Sequence, residues 1–149
     1  MELSRREVED RKHLVKVDLA DANLAGVDLS HKNLTAANLR GASLHSATLV
    51  GTNFAAADLT GANLNDSVLH SATFTATILD EATFNDADLT GSGGKLPHVQ
   101  GWSEVGFVGA SLIGASFVRA KLWKTSFGWS DLTGADFALA DIRSATFLN

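Results

Sequence analysis

Residues 57–74 read ADLTGANLNDSVLHSATF, with a large apolar side chain at Leu59, Leu64, Leu69 and Phe74, one in every five positions. Neither regular secondary structure accommodates that period. On an α-helix five residues advance about 500°, so successive large residues would step about 140° around the axis and share no face. On a strand, side chains alternate with period 2, and an odd spacing sends neighbouring large residues to opposite faces. A period of five keeps them all inside only if the chain turns a corner once per repeat, winding about its own core as a solenoid.

The period runs through most of the chain. Large apolar centres continue from Leu19 to Leu89 in unbroken steps of five, resume after a break at Trp102 and Phe107, and run on to Phe147. Alanine stands two positions before most centres, as at Ala22, Ala62 and Ala115, and Asp, Asn, Ser or Thr often stands one before. The stretches ANLAG, ADLTG, ANLND and ADFAL follow the pattern A(D/N)LXX. On these residues the chain resembles the pentapeptide-repeat family over roughly residues 17–149. The resemblance implies an all-β fold, a right-handed quadrilateral β-helix with four repeats in each twenty-residue coil.

The phenylalanines support four sides. Within each block every Phe–Phe spacing is a multiple of ten, so a twenty-residue coil lays Phe54 over Phe74, Phe107 over Phe127 and Phe147, and Phe117 over Phe137. A fifteen-residue coil would instead stack Phe107 on Leu122. Across the break, Phe84 to Phe107 is 23 residues and Phe74 to Phe117 is 43, each a multiple of twenty plus three. The simplest expectation is that the break inserts three residues. Six to seven coils about 4.8 Å apart make a rod on the order of 30 Å long.

The ends and the break carry the irregularities. Ser4 to Glu7 reads as a capping box opening a short helix through about Leu14, a lid on the first coil. The expected organisation is therefore a capping helix over 1–16 and a β-helix over 17–149, with a loop insertion near 91–101 (GSGGKLPHVQG) that is either a tolerated bulge or a recognition loop. Lys32 occupies an inward slot and is expected to reach towards the N-terminal end. The sequence stops inside a repeat, at ATFLN, and an uncovered last coil exposes strand edges. An end-to-end homodimer through Phe147 and Leu148 is the expectation.

Little points to chemistry. There is no cysteine, and the five histidines (His13, His31, His45, His70, His98) scatter over the helix, three different corners and the loop. No metal, nucleophile or phosphate-loop motif is present, so no catalytic site and no cofactor is expected. The net charge of -5 argues against direct nucleic-acid binding. No apolar run approaches membrane-spanning length, and the N-terminus is charged rather than signal-like, which makes the cytoplasm the expected location.

Function is then expected on the outward positions. Between Gly41 and Gly94 there is no Lys or Arg, while Asp66 and Asp86 share one column and, under a three-residue insertion, Glu81 and Glu104 share the next. Like charges across a ladder destabilise. Asp66, Asp80, Glu81, Asp86 and Glu104 therefore form a candidate acidic patch for a basic partner, weighed against ordinary solvated surface. In the second half, Lys121 faces Asp141, Lys124 faces Glu104, Arg143 falls beneath Trp123, and Arg119 has no obvious partner. Trp123, Trp129, Ile113, Val118 and Leu139 take outward slots on several sides and form a candidate interface for a protein partner. These features read as a non-enzymatic interaction scaffold. The family resemblance supplies an alternative: some members mimic duplex DNA, bind DNA gyrase, and inhibit it or protect it from quinolones and toxins.

Overall fold

The computed structural model describes residues 5–11, 14–90, 94–95, 102–103 and 106–148. Parallel bridges join Asp18 to Asn38, Asn23 to Ser43, Asp28 to Thr48 and Asn33 to Asn53, and the same four positions recur down the chain. Each winding is thus twenty residues with four sides. The ladder begins at Leu14, whose N–H donates to the Asn33 carbonyl at 2.8 Å. Numbering sides from there, the first carries the centres Leu14, Leu34, Phe54, Phe74, Phe107, Phe127 and Phe147. The second is a row of leucines from Leu19 to Leu132. The third runs from Leu24 through Phe84 and Phe117 to Phe137, and the fourth from Leu29 to Ile142.

The five-residue unit explains itself physically. The centre and the residue two before it point inward, and Leu24 to Leu122 and Ala37 to Ala120 are almost wholly buried. Where a hydroxyl replaces that alanine it is satisfied: Thr52 donates to the Leu29 carbonyl, Ser67 to Leu64 and Thr77 to Phe54. Two residues after each centre the chain turns with a left-handed residue. Every described corner from Lys16 to Ser144 has φ between 53° and 71°, as in a type II turn. The residue before the centre braces the turn, as Asn53 Oδ1 does by accepting from the Ala55 N–H at 2.9 Å.

Two columns of rings occupy opposite sides and meet across the interior. Phe54 and Phe74 stack at 5.1 Å, and Phe84 and Phe117 at 4.8 Å. Between the columns, Phe74 meets Phe84 edge-on at 6.0 Å. Each such pair contributes about 0.5–1.5 kcal/mol beyond its burial.

The break departs from the three-residue insertion expected above. Thr73 bridges Gly106 and Asp88 bridges Lys121. Partners across the break are therefore 33 residues apart where they are 20 elsewhere, and thirteen residues are inserted. The insertion holds a small antiparallel pair, β1 (Gly94–Lys95) with β2 (Trp102–Ser103), so Trp102 belongs to the insertion and is not a centre. Phe84 stacks on Phe117 rather than on Phe107, which it meets edge-on.

At the other end α1 (Arg5–Asp10) lies over the first coil, with Val8 fully buried, and ends short of the Leu14 expected from the sequence. Lys32 does reach towards the N-terminal end: its ammonium donates to the Glu9 carbonyl and, at 2.8 Å, to that of Arg11. A cation there meets the carbonyl-rich end of the helix. Ser4, His13, Leu96, His98 and Glu104 lie outside the described residues. Among the described residues no helix is long and apolar enough to cross a membrane.

Candidate functional site

The corrected register rearranges the surface charges. Asp66 and Asp86 share the corner after the third side, as expected, but the next residue of that column is Arg119. Its guanidinium clamps the Asp86 carboxylate, with Nε to Oδ1 at 2.7 Å and Nη2 to Oδ2 at 2.5 Å. That hydrogen bond holds the Asp86 carboxyl below its usual range, and the same carboxylate raises Arg119. Arg119, left without a partner by the sequence reading, is thus paired because the insertion is ten residues longer than expected. Glu81 does not share a column with Glu104: it lies against Gly114, and Glu104 is outside the described residues. The expected pairing of Lys124 with Glu104 likewise falls on a residue outside those described.

Asp80 and Glu81 stand on the second side and its trailing corner. The Ser111 hydroxyl and the Ile113 N–H both donate to Asp80 Oδ1, at 2.5 and 3.2 Å, so this carboxylate ties coil four (74–90) to coil five (107–126). Glu81 is exposed. The acidic residues named from the sequence therefore divide between two sides, and one of them is neutralised.

The fourth side is charge-paired. Lys121 Nζ lies 3.0 Å from Asp88 Oδ2 as well as in the bridge to Asp141. Partial burial pushes the Asp88 carboxyl up, but the Thr90 hydroxyl and N–H together with Lys121 bring it down to about 2. His70 Nε2 sits 3.2 Å from Asp88 Oδ1 without hydrogen-bond geometry. Arg143 forks onto Asp141, at 2.8 and 2.6 Å, and Trp123 instead receives Lys124, whose ammonium is 4.4 Å from the ring centroid. Among the described residues no group of three or more His, Cys, Asp or Glu could hold a metal ion.

The outward apolar residues remain spread around the rod. Ile113 lies on the second side, Trp129 on the corner before it, Val118 on the third side, Leu139 on the corner after the third, and Trp123 on the fourth. Trp129 and Leu139 are 73% and 83% exposed, while Val118 is half-buried. Phe147 and Leu148 are exposed at the last coil, and Phe127, Trp129, Leu132 and Phe147 line a cavity of about 510 Å³ with Ser130, Asp131 and Thr133. Sequence reasoning missed Ile78, exposed on the second side one coil above Ile113. The signal was present: Ile78 fills the slot before a centre where most repeats carry Asp, Asn, Ser or Thr.

Comparison with known proteins reaches the same fold. The sequence model of the family described as Pentapeptide repeats matches eight copies, over residues 18–55, 52–91 and 107–148. Among solved structures, the chain is similar to QnrB1, a plasmid-mediated fluoroquinolone resistance protein, at 20% identity over 84% of this chain and 67% of that one, with a TM-score of 0.52. It is also similar to HetL, a pentapeptide repeat protein involved in heterocyst differentiation regulation from the cyanobacterium Nostoc, at 27% identity over 89% and 73% of the two chains and a TM-score of 0.25. A third, Rfr23 from the cyanobacterium Cyanothece, is 20% identical over 83% and 65%, with a TM-score of 0.34. No curated protein sequence gives a significant match. The fold shared with QnrB1 is a right-handed β-helical solenoid.

Proposed function

This chain belongs to the pentapeptide-repeat family, and from that premise we propose that it is a non-enzymatic protein-interaction scaffold, a rigid rod presenting outward side chains to another protein. One observation carries the reading. Trp129 and Leu139 stand 73% and 83% exposed on coils whose backbone is bonded to the coil above. Large apolar side chains held in fixed positions in water are suited to a partner surface. Affinity capture with the wild-type chain and with a Trp129→Ser, Leu139→Ser variant of unchanged circular dichroism tests it. A partner retained by the first and lost by the second is expected; the same proteins recovered by both, and by an unrelated β-helix, would remove the reading. Self-association through Phe147 and Leu148 belongs to the same proposal. Light scattering should then report a dimer that Phe147→Ala with Leu148→Ser converts to monomer.

A second reading is gyrase binding. Its support is the exposed pair Asp66 and Glu81 in a stretch free of Lys and Arg from Gly41 to Gly94. The clamp of Arg119 on Asp86 opposes it. The discriminating measurement is gyrase supercoiling with the protein titrated in, with and without a quinolone, beside an Asp66→Asn, Glu81→Gln, Asp86→Asn variant. An effect lost in the variant supports the reading, and unaffected supercoiling ends it.

A further inference from the structure

The second side differs from the other three in coils four to six (127–146 being the sixth). Its outward residues form two columns, one before and one after each centre. Down these columns Ile78 and Asp80 sit in coil four, Ser111 and Ile113 in coil five, and Asp131 and Thr133 in coil six. Trp129 stands on the corner that leads into the side at coil six. Three large apolar residues, 44%, 42% and 73% exposed, therefore descend one side on three successive coils. Each has a carboxylate beside it: Asp80 follows Ile78 by two residues and accepts from the Ile113 N–H, and Asp131 follows Trp129 by two.

The far corner of this side is cleared. Its residues are Gly61, Glu81, Gly114 and Gly134 from coil three to coil six. A Cβ at Gly61 would meet nothing within 4 Å, and at Gly114 only the Glu81 stem, 3.8 Å away. Glu81 alone projects from a shelf that is otherwise backbone. Among the described residues the cations on the second side and its corners are Arg40, two coils above Ile78 and bonded to Asp58 at 3.1 Å, and Lys16, on the leading corner of the first coil. On the third and fourth sides, by contrast, Arg119, Lys121 and Arg143 each face a carboxylate.

We infer that the second side of coils four to six, built on Ile78, Ile113 and Trp129 with Asp80, Glu81 and Asp131, is the docking surface for a protein segment that alternates Lys or Arg with aliphatic residues. The inference rests on the scaffold reading and names its surface and the chemistry of its partner. Three successive coils span two steps of the ladder, about 10 Å, the reach of a few extended residues. Aliphatic groups of that segment cover the isoleucines, and its cations meet the carboxylates and the face of Trp129. A mimic of duplex DNA would need carboxylates around the rod. Here Asp86, Asp88 and Asp141 on the other sides are spent on Arg119, Lys121 and Arg143, and the carboxylates of the second side are interleaved with apolar groups, which selects an amphipathic segment over a purely basic one.

The test is an NMR titration of the ¹⁵N-labelled full chain with a short synthetic peptide alternating Arg and Val, at about 0.15 M salt. Saturable shifts are expected at Gly61, Ile78, Ile113, Gly114 and the Trp129 indole. A peptide alternating Arg and Ser should bind about ten-fold more weakly, as should Ile113→Ser or an Asp80→Asn, Glu81→Gln variant. Equal affinity for the Arg–Ser peptide, or shifts centred on Asp66 and Asp86, would reduce the surface to general electrostatics and overturn the inference. So would the absence of saturable shifts. Shifts that grow with protein concentration alone would give the side to a second copy of this chain. Saturable shifts elsewhere on the rod would overturn this assignment yet leave the scaffold reading standing, since partner capture decides that separately.

Discussion

The rings of Phe74 and Phe107 stack with centroids 4.7 Å apart and planes 6° from parallel, although the two residues stand 33 positions apart where stacked neighbours away from the break stand 20 apart. The contact closes the ladder over the insertion: the Phe74 N–H donates to the Gly106 carbonyl at 2.7 Å, as its counterparts do where coils follow directly. The hairpin residues therefore lie outside the winding. Deleting residues 92–104 restores the five-residue step between Leu89 and Phe107 and is expected to leave the circular dichroism unchanged. The unfolding free energy from urea titration should stay within about 1 kcal/mol of wild type, because a loop of this length costs little to close. Loss of cooperative unfolding would show that the insertion is part of the core.

Position along the ring column sets the cost of truncation. Phe107 is fully buried between Phe74 and Phe127 and meets Phe84 and Phe117 edge-on. Phe107→Ala is expected to destabilise by about 3–5 kcal/mol. Phe147, 45% exposed at the last coil, should cost about 1 kcal/mol on the same change. Equal costs in urea denaturation would contradict this account of the core.

Two corner glycines separate backbone strain from crowding. Gly61 has φ +67 and open space around a would-be Cβ, so Gly61→Ala should cost about 1 kcal/mol from the left-handed backbone alone. Gly51 has φ +63, and a Cβ there would lie 2.6 Å from His31 Nδ1. Gly51→Ala should cost more, and adding His31→Ala should bring it back to the Gly61 value. A double-mutant cycle with no coupling between positions 31 and 51 would refute the crowding.

Acid should weaken the fourth side. The Asp88 carboxyl titrates near 2 in the folded chain and near 4 when unfolded, so its contribution is complete above pH 4 and lost as pH falls towards 2. Allowing for solvent screening, that contribution is on the order of 1 kcal/mol. Thermal unfolding of Asp88→Asn should lie below wild type at pH 7 and converge with it near pH 2. A constant gap across that range would rule Asp88 out as the titrating group.

The unit is written into the residue order: a turn every five residues, inward Leu or Phe with Ala, and twenty residues to a coil. Each is a local or short-period constraint, because a side chain on the wrong face would leave a hole in the core and an apolar group in water. The inward lysine was legible for the same reason, since Lys32 in a slot for Ala had to find an end of the rod. The register across the break was not. Phenylalanines occupy opposite sides, so they recur every ten residues, and insertions of three and of thirteen restore ring columns equally well. Loop closure discriminates hardly at all between such lengths. Only the stacked coils, through Phe74 on Phe107 and the backbone bonds beside them, select thirteen. That choice decided every charge relation across the break, giving Arg119 to Asp86, Lys121 to Asp88, and leaving Ile78, Ile113 and Trp129 with their carboxylates on one side.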